Sequence, residues 1–125
     1  MSSNSRRVLV VDNHRSAATA LLFALRLDGR MTALGPAATL AEALQMAPDA
    51  DAVILDMNLS DSEGIDTVLR FRAHQPTLPM VVYSADPEPA RRVHDGHLTV
   101  VLPKGEVNKL LDALADLLDL PPRSQ

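Results

Sequence analysis

The chain has 125 residues, a length suited to one domain, and its 46% hydrophobic content is ample for one core. A net charge of −4 argues against a nucleic-acid surface, and the absence of cysteine rules out disulfides and thiolate metal sites. No apolar stretch approaches the roughly 20 residues that span a bilayer. The polar start Met1–Arg7 carries no signal-peptide pattern, so a single cytoplasmic domain without a membrane contact is expected.

Only three aromatics occur (Phe23, Phe71 and Tyr83), so the core must be built from Leu, Val, Ile, Ala and Met. The first strand is expected at Arg7–Asp12. Its run Val8-Leu9-Val10-Val11 is continuously apolar rather than alternating, as in parallel strands covered on both faces. A helical stripe of Ala18, Leu21, Leu22 and Leu25 follows and stops at Gly29. A second strand is expected at Met31–Gly35. Thr39 then N-caps a helix carrying Leu40, Ala43, Leu44 and Ala47, which ends before Pro48. The third strand, Ala52–Asp56, leads to a helix with Ile65, Val68 and Leu69 inward and Arg72 at its surface, finishing before Pro76.

A fourth strand is expected at Met80–Ser84. Asp86-Pro87-Glu88-Pro89 can open a fourth helix, because proline is tolerated in a first turn, but only about two turns remain before Asp95-Gly96. Arg91, Arg92, His94 and His97 read as a solvated face. The fifth strand, Thr99–Leu102, ends just short of Lys104. The last helix has the clearest pattern, with Val107, Leu110, Leu111, Leu114, Leu117 and Leu118 at three-and-four spacing. Residues 1–119 are expected to form the domain, and 120–125, with two prolines, a linker or disordered tail.

Strands alternating with helices imply a doubly wound α/β sandwich with right-handed crossovers. In such folds the site lies outside the carboxyl ends of the strands. Asp12, Asp56, Ser84 and Lys104 all fall there. Alone, each has a plain structural role: Asp56 as a loop cap, Asp12 or Asn13 as a helix N-cap, Ser84 as a turn residue and Lys104 as a solvated cation. Together they suit a carboxylate that accepts a phosphoryl group beside a metal ion. Asp12, with Asn13 as a weaker neutral donor, suits Mg²⁺, which takes oxygen ligands and keeps several waters. Lys104 and Ser84 suit the phosphoryl oxygens. His14, His74, His94 and His97 lack metal-ligand spacing apart from the weak His94/His97 pair, so no zinc site is expected.

This ordered set resembles the receiver domain of bacterial two-component response regulators, over Val8 to about Leu118. The family places an acidic pair after the first strand (here Asp12-Asn13) and a phosphoacceptor after the third (Asp56, with a glycine eight residues on at Gly64). A Ser/Thr with a small neighbour follows the fourth strand (Ser84-Ala85), and a lysine follows the fifth (Lys104). The resemblance implies a flavodoxin-like five-stranded parallel sheet of order 2-1-3-4-5, helices on both faces, and phosphoryl transfer from a histidine kinase or phosphotransfer protein onto Asp56 with Mg²⁺. It also implies a metal held by Asp12, Asp56 and the backbone carbonyl of Asn58. Ser84 and Lys104 would bind the phosphoryl group and switch a face made of the fourth helix, fifth strand and fifth helix. Such a domain is a phosphoacceptor rather than an enzyme with an external substrate. The Asp12-Asn13-His14 run is similar to the opening of regulators with a LuxR-type DNA-binding domain, which would lie beyond residue 125; the proline-containing tail fits either a stand-alone receiver or the N-terminal domain of such a longer regulator, and homodimerisation is left open.

Four departures stand out. Asn13 replaces the second acid; two unit charges 4 Å apart at an effective dielectric of 20 interact by about 4 kcal/mol, so its absence weakens a Mg²⁺ site. Ser60 stands at a usual proline, and Val101 at the usual switch aromatic. Lys104 is preceded by Pro103 and followed by Gly105, reversing the usual Lys-Pro order, and the segment from Ser84 to Lys104 is a couple of residues short. These changes imply phosphorylation that is slow, weak or dispensable. Two alternatives follow. One is an atypical receiver that binds partners without phosphorylation. The other is a haloacid-dehalogenase-like phosphatase, for which Asn58 would have to be the general acid, a proton an amide cannot donate.

Overall fold

A computed structural model describes residues 5–93 and 97–121. The β-branched runs become the strands β1 (Arg6–Val11), β2 (Met31–Ala37), β3 (Ala52–Leu55), β4 (Met80–Ser84) and β5 (Thr99–Pro103). They pair in parallel in the order β2-β1-β3-β4-β5, the expected flavodoxin-like topology. The helices are α1 (Arg15–Asp28), α2 (Leu40–Met46), α3 (Ile65–His74) and α4 (Val107–Leu117).

Alternation along each strand sorts the core into two layers. Leu9, Val11, Val53, Leu55, Met80 and Val82 face α2 and α3, where Leu40, Ala43, Val68 and Phe71 meet them. Val8, Val10, Ile54, Val81 and Tyr83 face α1 and α4, meeting Leu21, Leu25, Leu110 and Leu114. β1 lies at 0–1% exposure from Val8 to Val11, so it can only be an inner strand, and its end is fixed by packing on both sides.

Local chemistry sets the helix ends. Gly29 (φ 81°) terminates α1, its N–H reaching the Leu25 carbonyl. Thr39 Oγ1 accepts from the Glu42 N–H at 3.1 Å, the expected cap of α2. That helix gives way at Ala47 to a 3-10 turn, Ala47–Asp49, which carries Pro48.

Five expectations are corrected. β2 runs two residues beyond Gly35: a cis Gly35–Pro36 peptide sits where the register with β1 shifts, and pairing resumes at Val11 and Ala37. A Cβ at Gly35 would lie 2.9 Å from the Val10 carbonyl oxygen, so glycine permits this close approach. β5 extends to Pro103, which an edge strand tolerates. Leu69 is 52% exposed while Phe71 is fully buried, because the inward stripe of α3 runs through Thr67, Val68 and Phe71. Arg72 is not a surface residue; it is half-buried and donates to the carbonyls of Gln75 and Leu78 and to Thr99 Oγ1, clamping the end of α3 to β5.

Finally, the fourth predicted helix is a five-residue 3-10 turn, Glu88–Arg92, closed by Ala90 N–H to Pro87 O and Val93 N–H to Ala90 O. Pro87 precedes the turn and Pro89 lies at its second residue, first-turn positions that proline tolerates, so the segment starts as a helix would but stops after five residues. Its expected stop at Asp95-Gly96, and His94, lie outside the described residues, as does 122–125 of the tail. Leu120 donates to the Ala115 carbonyl, and the Pro121 carbonyl accepts from Arg30 at 2.9 Å.

Candidate functional site

Parallel pairing brings four strand ends to one edge. The Asp56 N–H bonds the Val11 carbonyl (3.0 Å) and the Asp12 N–H bonds the Ala37 carbonyl (3.0 Å), so both aspartates continue the ladder just past the last strand residue. Their side chains then turn toward each other. Lys104, following β5, reaches back across β4 and places Nζ 3.0 Å from Asp12 Oδ2 and 3.3 Å from Asp56 Oδ2. Asp12 and Asp56 are 3% and 4% exposed. Two carboxylates this deep and this close demand a cation, and in this state the lysine is that cation.

The electrostatics follow from that crowding. Burial, reinforced by the charge of Asp12, holds the Asp56 carboxyl above the usual carboxylate range, outweighing the pull of Lys104 and the N–H of Asn58. Burial works against the Lys104 charge too. The Asp12 hydrogen bond and the fields of Asp56 and Asp12 overcome it, raising Lys104 above the ordinary lysine value.

Ser84 is fully buried at the end of β4, its Oγ accepting from the Asp86 N–H at 3.1 Å. It is tied to Lys104 through the main chain, Lys104 N–H to Ser84 O at 2.9 Å. Asn58 lies two residues beyond Asp56; its N–H reaches Asp56 Oδ1 at 3.4 Å, and its Oδ1 accepts from the Gly64 N–H. Asn13 is exposed, and its Oδ1 accepts from Ser60 Oγ at 3.3 Å, so the two departures at 13 and 60 meet each other. Neither Asp12 nor Asn13 is the N-cap of α1, which is His14. Asp12 Oδ1 instead accepts from the His14 N–H at 2.8 Å, a turn that fixes the loop.

The donors fit a divalent ion: carboxylate oxygens of Asp12 and Asp56 converge on a place already filled by positive charge. His14, which its spacing from the other histidines did not mark as a ligand, belongs to the same group. Its Nδ1 lies 3.4 Å from Asp12 Oδ1, and one ligand atom from each of Asp12, His14 and Asp56 lies within 4.8 Å of the others. Its position directly after Asp12-Asn13 is the signal that histidine-pair spacing does not capture.

The loop after Asp56 is held from below and from the side. Thr67 Oγ1 donates to the Met57 carbonyl (2.8 Å) and bonds Ser62 Oγ (2.7 Å), all buried. Asp61 accepts from the Leu40 and Ala41 N–H groups at the start of α2; these bonds, the Leu40 one foremost, hold its carboxyl below the usual range.

No helix among the described residues is long and apolar enough to cross a membrane. Residues 8–115 match the response regulator receiver domain family. The transcriptional regulatory protein PrrA of Mycobacterium leprae is 37% identical over 84 residues, covering 66% of this chain and 35% of that protein. The sensory/regulatory protein RpfC of Xanthomonas campestris pv. campestris is 34% identical over 121 residues, covering 90% of this chain and 16% of that protein. The chain thus spans about a third and about a sixth of these relatives' lengths. Among solved structures, a response regulator receiver protein from Pseudomonas putida is similar at a TM-score of 0.75 and 28% identity, covering 90% of this chain and 97% of that one. The haloacid-dehalogenase-like alternative is left without support. By the family match, the strand order and the aspartates at the strand ends, the chain belongs to the response regulator receiver domain family.

Proposed function

We propose that this receiver accepts a phosphoryl group on Asp56 from a histidine kinase or phosphotransfer protein. The observation that carries the reading is the convergence of Asp12, Asp56 and Lys104 at one sheet edge. An Asp56 carboxylate oxygen attacks phosphorus, the N–P bond of a donor phosphohistidine breaks, and its electron pair stays on the imidazole nitrogen, which takes up a proton. Lys104 then shifts its hydrogen bonds to the phosphoryl oxygens, joined by Ser84 as Asp86 releases its hydroxyl. Asp12, Asp56 and the Asn58 carbonyl would hold Mg²⁺, with Asn13 a weak neutral contributor; the ion supplies positive charge to the phosphoryl oxygens.

The chain is then a phosphoacceptor with at most self-phosphorylation and self-dephosphorylation. Residues 1–119 form its receiver unit and 120–125 a linker. Its switching face is built from the Glu88–Arg92 turn, β5 and α4. PrrA, described as a transcriptional regulatory protein, is in line with a DNA-binding output domain beyond residue 125. A cytoplasmic location and no direct nucleic-acid contact by the receiver itself complete the reading, with homodimerisation left open.

A second reading rests on Asn13, Val101 and the 3-10 turn: a receiver that binds its partner without phosphorylation. Acetyl phosphate with and without Mg²⁺, read by intact mass beside Asp56→Asn, separates the two. A Mg²⁺-dependent phosphoryl adduct lost in the variant supports phosphoacceptance. No adduct at high Mg²⁺ moves the assignment to the phosphorylation-independent module.

A further inference from the structure

We propose that His14 makes the cation site of this receiver selective for divalent metals that accept imidazole, such as Zn²⁺ and Co²⁺, over Mg²⁺. The inference shares the cation site of the phosphoacceptor reading, but it concerns binding alone and does not need phosphoryl transfer.

The geometry supplies the donors. One ligand atom each from Asp12, His14 and Asp56 lies within 4.8 Å of the other two. Metal–nitrogen and metal–oxygen bonds of about 2.0–2.2 Å bring donors to roughly 3–3.5 Å from one another. The His14 Nδ1 to Asp12 Oδ1 distance, 3.4 Å, already meets that spacing. The remaining closure falls on the residue best able to make it. Asp12 and Asp56 side chains are 1% and 5% exposed and fixed by packing, whereas the His14 side chain is 67% exposed and can swing. The His14 N–H to Asp12 Oδ1 bond at 2.8 Å meanwhile fixes its backbone beside the first carboxylate.

The charge supplies the selectivity. Lys104 Nζ, between the two carboxylates, marks where a cation sits and is displaced by an entering metal. Asn13 stands where a second acid after β1 would give a hard, anionic oxygen, the ligand Mg²⁺ gains most from. Exchanging that oxygen for an imidazole nitrogen favours the later first-row metals, which bind nitrogen more strongly along the Irving–Williams series. The expectation that no zinc site exists rested on histidine-pair spacing; these ligands come instead from the ends of two strands and the loop between β1 and α1.

The test is calorimetric titration of the untagged chain with ZnCl₂, CoCl₂ and MgCl₂ separately, with no phosphoryl donor. Failure here therefore does not touch the acetyl phosphate result, nor the reverse. His14→Ala, Asn13→Asp and a His94→Gln/His97→Gln control are titrated alongside. Expected are one-to-one binding of Zn²⁺ and Co²⁺ at least tenfold tighter than Mg²⁺, and about a tenfold or greater loss for both in His14→Ala, with Mg²⁺ little changed. Asn13→Asp should narrow the gap by strengthening Mg²⁺. In the Co²⁺ form, a paramagnetically shifted imidazole resonance should vanish in His14→Ala. Unchanged Zn²⁺ affinity in His14→Ala, loss of that affinity in the His94/His97 control, or Mg²⁺ binding as tightly as Zn²⁺ would overturn the proposal.

Discussion

Asp56→Asn should stabilise the resting protein, although it removes one half of an ion pair. The Lys104 ammonium lies 3.3 Å from Asp56 Oδ2, an attraction of about 5 kcal/mol at an effective dielectric of 20. Asp12 opposes it: its ligand oxygen lies within 4.8 Å of that of Asp56, a repulsion of at least about 3.5 kcal/mol on the same scale. The balance is an attraction of at most about 1.5 kcal/mol, and solvent at the 25%-exposed lysine reduces it further. Removing a carboxylate from water costs several kcal/mol. Burial therefore wins, which is why the Asp56 carboxyl sits above its usual range. An asparagine keeps the shape, accepts from the Asn58 N–H, and leaves Lys104 to Asp12 alone. The expected gain at pH 7 is about 1–3 kcal/mol, a rise in Tm of roughly 3–12 °C. The sign with pH follows from the raised folded pKa. The wild-type contribution from a protonated Asp56 is fully present below the unfolded value of 3.8 and is lost as pH rises through the folded pKa. The gap between variant and wild type should thus open from acid toward neutral pH. Urea unfolding of both proteins between pH 4 and pH 8 measures it; an Asp56→Asn protein less stable than wild type at pH 7, or a gap widening toward acid, refutes the balance.

Lys104→Met should do the opposite, lowering stability at pH 7 by about 2 kcal/mol as two buried carboxylates lose their cation, and Asp56→Asn in the same chain should recover part of it. Because Lys104 is raised, its contribution is whole below the unfolded value of 10.5 and fades only as pH passes its higher folded pKa, which alkaline denaturation reads. Asp61→Ala removes the acceptor for the Leu40 and Ala41 N–H groups and should cost about 0.5–1 kcal/mol in urea unfolding at pH 7. Its lowered pKa makes that cost present above 3.8 and absent once pH falls through the folded value; an equal cost at pH 2 contradicts the bond. Phe71→Ala should cost about 3–5 kcal/mol and Leu69→Ala under about 0.5, since one is buried and the other 52% exposed; similar losses would reverse the assignment of the inner face of α3. Tyr83 is the chain's single tyrosine, and its hydroxyl accepts from the Gly105 N–H at 3.0 Å, so its emission should change when Lys104 leaves the carboxylates; constant emission on loading Asp56 would place the readout elsewhere.

The strands were legible because β1, β3 and β4 are buried on both faces, and only continuous apolar runs satisfy that requirement. The placement of Asp12 and Asp56 was legible for the same reason. Once runs ending in Asp12 and Asp56 are parallel neighbours, the ladder carries both carboxylates to one edge. Boundaries set by special backbone were not legible. Nothing in the pattern announces that β2 continues through Gly35–Pro36, since that depends on the Val10 carbonyl beside it. Leu69 misled because hydrophobicity alone cannot say which of two adjacent leucine and valine positions faces in; Phe71 and Thr67 decide it by their own burial. Arg72 looked like surface because its partners, the carbonyls of Gln75 and Leu78 and the hydroxyl of Thr99, are backbone atoms and a residue 27 positions away. His14 escaped for a related reason: its neighbour Asp56 comes from another strand.

The departure at 13 acts on the charge balance that Lys104 sets. With Asn13, the resting cluster holds two carboxylates and one ammonium, one negative charge in excess. A second acid at 13 would raise that excess to two. At about 4 kcal/mol per pair of charges 4 Å apart, the missing carboxylate halves the pull of that excess on an external ion. It also leaves Lys104 able to bridge Asp12 and Asp56 without competition, as its 3.0 and 3.3 Å contacts show. On the proposed reading, a metal ion or phosphoryl group entering this site would first displace the lysine from its two carboxylates. What draws a metal in must then be affinity that charge does not provide. His14 is placed to provide it: an imidazole bond does not depend on the net charge of the cluster, and its exposed ring can close on an ion that the two carboxylates alone hold weakly.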